Sequence, residues 1–270
     1  VSIATAAQGG EPLLALPEAA GLDEADDERR FGGLRRLHGE AAYARLRGAR
    51  LAVVGVGGVG SWAAEALARC GVASLTLIDL DHVAESNINR QIQALGSTLG
   101  MAKVQALRQR IADIHPRCEV HGVEEFVEPG NWPALLPAPV DGLIDACDQS
   151  KAKLALADWA LRERVPLVAV GAAGGKLQPQ RVEVDDLAHT THDPLLAGLR
   201  QRLRKLGAPR SGAIGVRCVF SRESVLPPQD AACSVDGSLN CHGYGSSVTV
   251  TATFGMVAAA ELIRLVLARR

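Results

Sequence analysis

Apolar residues recur along this chain in two alternating patterns. Short continuous runs of β-formers begin at Leu51-Ala-Val-Val and recur at Ser74–Asp79, Cys118–Val123, Val140–Asp148, Pro166–Val170 and Val216–Ser221. Between them lie stretches with helical spacing: Trp62–Arg69, Gly100–Ile114 with Val104, Leu107 and Ile111 on one face, Lys151–Glu163, and Leu195–Lys205. Continuous runs predict strands buried on both faces, and the spaced ones predict helices that cover them. Gln180–Val184 reads as extended, and Asp193-Pro194 reads as a helix start with Asp as the N-cap and Pro at the first helical position. From Val248 to Ala268 the chain is mostly apolar; its Val-Thr-Val-Thr-Ala-Thr opening predicts a core strand or turn, followed by a packed helix.

Strand and helix in alternation predict an α/β fold: a Rossmann-like, doubly wound, mostly parallel sheet. Residues 29–170 carry most of the strands. Residues 171–270 read as a C-terminal part that continues the sheet and carries a basic helix and a long loop at 222–247. Glu261 and Arg264 interrupt the last apolar stretch, which argues against a membrane span. Aromatics are only 3% of the chain against 47% hydrophobic residues overall, so Ala, Val and Leu must fill the core. The acidic stretch Asp23-Glu-Ala-Asp-Asp-Glu28 predicts a loosely ordered lead-in over 1–28, with no run apolar enough to export or anchor the chain. The formal charge of −1 gives no global field for nucleic acid, so any polyanion must meet a local patch. The six cysteines contain no Cys-x-x-Cys pair, and they read as reduced cytoplasmic thiols without a structural zinc. His189-x-x-His192 has no third ligand beside it and reads as a polar loop. Cys147, between two aspartates, reads as a small buried hydrophobe.

The first strand runs directly into Gly55-Val-Gly-Gly-Val-Gly-Ser61, followed by a helix. Gly55, Gly57, Gly58 and Gly60 permit a tight turn and close approach of a phosphate to backbone N–H groups at a helix N-terminus. Asp79 ends the second strand about 20 residues later, where a carboxylate accepts from ribose hydroxyls. A polar loop follows with Asp81, Asn87, Asn89, Arg90 and Gln91, and then Lys103 opens a helix. Lysine at a helix N-terminus opposes the dipole, which makes sense where an anion is to be met. An Arg and a Lys beside the phosphates suit a triphosphate that is bent and cleaved more than a dinucleotide that is kept. Asp145 and Asp148 end a further strand; paired carboxylates there suit Mg2+ on phosphate oxygens, although Asp148 could instead cap the next helix. Arg29–Arg36 is basic and glycine-broken, and its composition favours a solvated face. In the second half Arg200, Arg202, Arg204 and Lys205 make one helix the best polyanion contact in the chain.

These motifs together resemble the ubiquitin-activating-enzyme-like adenylyltransferases of the ThiF/MoeB superfamily. The resemblance rests on Gly55–Ser61, Leu77-Ile-Asp-Leu-Asp81, Ser86-Asn-Ile-Asn-Arg-Gln91, Lys103 and Asp145-Ala-Cys-Asp148. It implies that ATP adenylates a carboxylate in a homodimer. Asp79 would hold the ribose, Asn87, Arg90 and Lys103 the phosphates, and Asp148 the magnesium. An arginine of 29–36, Arg30 by choice, would reach the partner subunit's ATP. The missing Cys-x-x-Cys pairs depart from the zinc-bearing members. Gly171-Ala-Ala-Gly-Gly175, Asp186-Leu-Ala, Asp193-Pro-Leu, the basic helix, Cys218-Val-Phe-Ser221 and Thr249–Gly255 are instead similar to the branch that dehydrates threonylcarbamoyladenosine in tRNA. That likeness implies a tRNA substrate and a cyclic product. It also implies a sulfur-transfer protein in its company. The alternatives are activation of the C-terminus of a ubiquitin-like sulfur carrier, with Cys233 or Cys241 as a transfer thiol, and a redox or sensing NAD module.

Overall fold

The computed structural model describes residues 26–227 and 244–269. The lead-in before residue 26, and Cys233, Cys241 and His242 of the long loop, lie outside them. The elements are α1 (Asp27–His38), α2 (Glu40–Gly48), β1 (Arg50–Val54), α3 (Gly60–Arg69), β2 (Ser74–Ile78), α4 (Lys103–Ile114), β3 (Glu119–Val123), β4 (Gly142–Asp145), α5 (Ser150–Glu163), β5 (Leu167–Val170), β6 (Val182–Asp186), α6 (Pro194–Lys205), β7 (Arg217–Ser221) and α7 (Val248–Ala268).

The seven strands form one sheet in the order β3-β2-β1-β4-β5-β7-β6. All neighbours are parallel except β6, which runs antiparallel to β7 at the edge. Strand residues alternate between two cores. Leu51, Val53, Ile144 and Val168 pack under α3, α4 and α7, while Ala52, Val54, Leu143 and Ala169 pack under α5 and α6. This two-sided burial is why the strands read as unbroken apolar runs. β7 joins β5 directly, so the second half of the chain extends the sheet begun by the first.

Arg29–Arg36 lies within α1 with Arg29, Arg30 and Arg36 exposed, as expected of a solvated face; the N-cap Asp26 accepts from the Arg29 N–H at 3.1 Å, and Asp27 and Glu28 favour the dipole and outweigh the glycines. One expectation is corrected. Val248 onward is helical from its first residue, with no strand. Ser247 caps α7, and Thr253 returns its hydroxyl to the Thr249 carbonyl at 2.7 Å. β-Branched alternation there is overridden by packing. At Gly255 α7 comes so close to α3 that a Cβ would lie 2.6 Å from the Val59 carbonyl oxygen. α7 is long and apolar enough to cross a membrane, yet its Phe254, Ala258 and Leu262 are fully buried in the core.

Candidate active site

The strand order reverses direction between β1 and β4, and a pocket opens there beyond their carboxyl ends. Its floor is the glycine turn. Gly55 has φ +79°, and a Cβ on Gly60 would fall 1.8 Å from the Gly55 carbonyl oxygen, so the turn closes only without side chains. Gly57, Gly58 and Val59 face the pocket, whereas Ser61 is buried behind it in the first turn of α3.

Asp79 is 8% exposed and lines the pocket. Its two oxygens accept from the Val56 N–H at 2.7 Å and the Asp81 N–H at 2.9 Å, so it braces the turn while keeping lone pairs for a guest. Burial pushes its carboxyl above the usual range, against the opposing pull of Lys103 and these amides. Lys103 is 6% exposed at the start of α4, and its Nζ lies 2.7 Å from Asp81 Oδ2. The anion expected at this unfavourable dipole position is therefore supplied, in this structure, by Asp81. Arg90 lies across Gly58, its Cγ and Cδ 3.5 Å from where a Cβ would stand. The Trp62 indole donates to the Arg90 carbonyl at 3.0 Å and anchors its loop on α3. The Arg90 guanidinium donates to the Ser86 carbonyl and to Asn89. Gln91 also lines the pocket.

The remaining motif residues separate. Asn87 is buried, and its Oδ1 accepts from the Ala84 N–H at 3.0 Å, closing a 3-10 turn away from the pocket lining. Asp145 does not share the pocket with Asp148, which corrects the paired-carboxylate reading. Asp145 is fully buried with Lys153, Nζ to Oδ2 2.9 Å, and takes the Cys147 thiol and amide on its other oxygen. Burial works against the Lys153 ammonium, but Asp145 and the nearby Cys147 and Cys218 together outweigh this and hold its pKa raised. Asp148 is exposed at the pocket. It is not the helix cap: the N-cap of α5 is Gln149, without a side-chain capping bond. Cys147 lines the pocket, but burial and then Asp145 push its thiol well above the usual range, which leaves no thiolate. Arg30 donates to the Asp113 and Ile114 carbonyls at 3.0 and 2.6 Å. It thus closes the C-terminus of α4, the end opposite to Lys103. His189 pairs with Asp185 at 3.2 Å, and among the described residues no three His, Cys, Asp or Glu side chains gather as a metal site.

Further residues line the pocket that were not named as site residues: Glu125, Phe126 and Val127 after β3, Gly171–Ala173 after β5, Leu195 of α6 and Thr251 of α7, the last three groups within motifs that carry the resemblance. The rule that ligands gather at carboxyl ends of strands, applied to β3 and β5, would have found the first two groups. A second, shallow groove runs along α6, lined by Pro194, Ala197, Arg200, Arg204, Lys205 and Arg210, among others. Arg200 is partly tied down, donating to the Leu187 and Thr190 carbonyls at 3.1 and 2.8 Å. Arg202 and Lys205 are exposed.

The model described as "ThiF family" matches residues 30–270. Over 253 residues the chain is 42% identical to the tRNA threonylcarbamoyladenosine dehydratase of Escherichia coli, spanning 89% of this chain and 94% of that protein. It is 38% identical to the dehydratase of the same name from Haemophilus influenzae, over 90% of this chain and 95% of that one. A crystal structure of the E. coli protein, TcdA, in complex with ATP matches with a TM-score of 0.80 at 42% identity, covering 89% of this chain and 95% of that one.

Proposed function

This chain belongs to the ThiF family, and on that premise we propose that it is an ATP-dependent dehydratase of threonylcarbamoyladenosine in tRNA. The observation that carries the reading is the pocket at the switch point of the sheet. It joins the glycine turn, Asp79, Arg90, Lys103 and Asp148 around space for a nucleotide. The same dehydratase activity is named for relatives at 42% and 38% identity.

In this reading the Gly55–Gly60 turn and the first amides of α3 receive the phosphates. Asp79 accepts from the ribose, and Phe126 and Val127 offer apolar surface to the base. Arg90 and Lys103 neutralise charge on the phosphates, Lys103 exchanging its Asp81 partner for the guest. Gln91 and Asp81 line the same cradle. Asp148 fits a magnesium ion brought in with ATP, because such an ion needs only one or two protein carboxylates and keeps waters and phosphate oxygens. The threonyl carboxylate attacks the α-phosphorus and pyrophosphate leaves. The carbamoyl group of the same nucleoside then closes on the activated acyl carbon, and AMP departs with the oxygen that amounts to the lost water. The nucleophile for closure belongs to the substrate, so proximity replaces a protein thiol. The raised thiol pKa of Cys147 agrees with this.

The tRNA backbone would lie along α6, on Arg204 and Lys205 of the groove and on the exposed Arg202 beside it, with Arg200 bracing the helix. Residues 29–170 are the ATP-binding adenylation part and 171–270 the substrate part of the same domain, in a cytoplasmic homodimer served by a sulfur-transfer protein. Nucleoside mass spectrometry of tRNA incubated with enzyme and ATP tests the reaction. The expected result is loss of one water from threonylcarbamoyladenosine with one AMP formed. An unchanged nucleoside, together with adenylation of a sulfur-carrier C-terminus, would replace the reading with the alternative.

A further inference from the structure

Lys153 lies near the start of α5 and has no exposed surface. Its Nζ is 2.9 Å from Asp145 Oδ2, 3.4 Å from the Asp145 carbonyl oxygen and 2.9 Å from the Val170 carbonyl oxygen. Asp145 is the last residue of β4 and Val170 the last of β5. The paired register of these strands stops at Asp145↔Ala169. Beyond that point both chains diverge into the walls of the pocket, Ala146–Gln149 on one side and Gly171–Ala173 on the other. One ammonium therefore links the two exits where the ladder has ended. The other Asp145 oxygen accepts from the Cys147 N–H at 3.2 Å and the Cys147 thiol at 2.9 Å, which shapes the turn that presents Asp148.

A fully buried ion pair is a poor device for stability alone, because an apolar pair of similar volume commonly does as well. What the bridge does supply is direction: one ammonium donates to the main-chain carbonyls that end β4 and β5 while it is ion-paired with Asp145 Oδ2. The Ala146–Gln149 wall adjoins the nucleotide cradle. The Gly171–Ala173 wall is tied to the start of α6, where the Ala172 N–H donates to Asp193 Oδ2 at 2.8 Å, and on the adenylation reading it is the side left for the acceptor carboxylate.

We propose that Lys153 is a positioning residue: its bridge between Asp145 and Val170 sets the distance between the nucleotide wall and the acceptor wall of the pocket. The proposal rests on the adenylation reading of that pocket. It predicts an effect on alignment of the two reactants, hence on kcat, more than on nucleotide affinity.

The test compares Lys153→Met with the double variant D145N/K153M. The single variant leaves a buried carboxylate unpaired and is expected to melt well below wild type. The double variant removes both charges, keeps an acceptor for the Cys147 N–H, and is expected to melt close to wild type. Its kcat should still be down about tenfold or more, with the Kd for ATP changed less than about threefold. Hydrogen exchange reads the walls without any substrate, and faster exchange confined to 146–149 and 171–173 is expected in the double variant. The proposal is overturned if kcat recovers in step with Tm, if both variants melt equally low, or if exchange in the two walls is unchanged. A wild-type enzyme inert towards tRNA would sink the adenylation reading, and the exchange result would still decide the role of Lys153.

Discussion

At the carboxyl edge of the sheet, Asp79, Lys103 and Asp145 are each less than a tenth exposed, and each is held by a backbone amide or an opposite charge. Along α6, Arg202 and Lys205 stand in solvent, and of the basic residues there Arg200 is bonded back to the Leu187 and Thr190 carbonyls. The first region is built to hold a small, highly charged ligand in one orientation, where preorganised groups act strongly because water is kept out. The second can meet only a long polyanion, where several weakly held cations add up through counterion release. In both regions the polar residues divide the same way: some shape the surface and others face the ligand. Asp145, Asn87 and Arg200 shape it; Asp148, Arg90, Arg202 and Lys205 face outward.

The largest effect is expected at the turn that makes the first region possible. Gly60→Ala would place a Cβ 1.8 Å from the Gly55 carbonyl oxygen, against backbone that cannot swing away. ATP affinity measured by calorimetry should fall by about a hundredfold or more. Retained affinity would show that the cradle is not the nucleotide site. The two aspartates of one motif should then part company. Asp145→Ala leaves the buried Lys153 ammonium without its partner and should cost about 3–5 kcal/mol of stability. Asp148→Ala, at an exposed position, should keep the wild-type Tm and abolish pyrophosphate release. If both lowered Tm equally, the division into shaping and facing residues would fail for this motif.

A smaller effect is expected on α6. Arg202→Ala with Lys205→Ala should weaken tRNA binding and reduce the salt slope of its affinity by about two, sparing ATP binding. Arg200→Ala should act mainly on Tm, through its lost bonds to Leu187 and Thr190. An unmoved salt slope in the double variant would reduce the basic residues of α6 to a solvated face. The smallest effect lies away from both regions, where α1 docks. His115 is buried against Phe31, with the Arg47 guanidinium 2.9 Å from its Nε2, and burial and then Arg47 lower its pKa. The unfolded chain therefore binds this proton more readily than the folded one. The stabilisation is complete above about pH 6.5 and is lost as pH falls below that value, by at most about 1.4 kcal/mol per pH unit. Tm between pH 7.5 and 5.5 should decline more steeply in wild type than in His115→Gln.

Much of the architecture is legible in the chain because buried parallel strands and covering helices impose incompatible periodicities. β1, β2, β4, β5 and β7, with α3 to α6, lie within a few residues of their expected places. The start of α7 departs from expectation, since Val and Thr in alternation carry the strand signature whatever they pack against. The basic residues of α1 read as a glycine-broken stretch, since the capping by Asp26 is a local signal that the surrounding charge obscures.

By itself, the sequence determined the glycine turn, the carboxylate that follows β2 and the cation opening α4, because each depends on spacing over one or two βα units, and it determined the family because several such motifs recur in a fixed order along the chain. Only the tertiary structure decided which of those side chains reach the pocket. Asp145 turns inward to Lys153 while Asp148 turns out, and Asn87 closes a turn while Arg90 lies over Gly58. Residues that follow β3 and β5, and others from α6 and α7, join the site although they are far apart in the chain. The physical reason is that the pocket forms where the carboxyl ends of several strands meet, and which loops and helices line it depends on strand order and crossover, not on spacing along the chain.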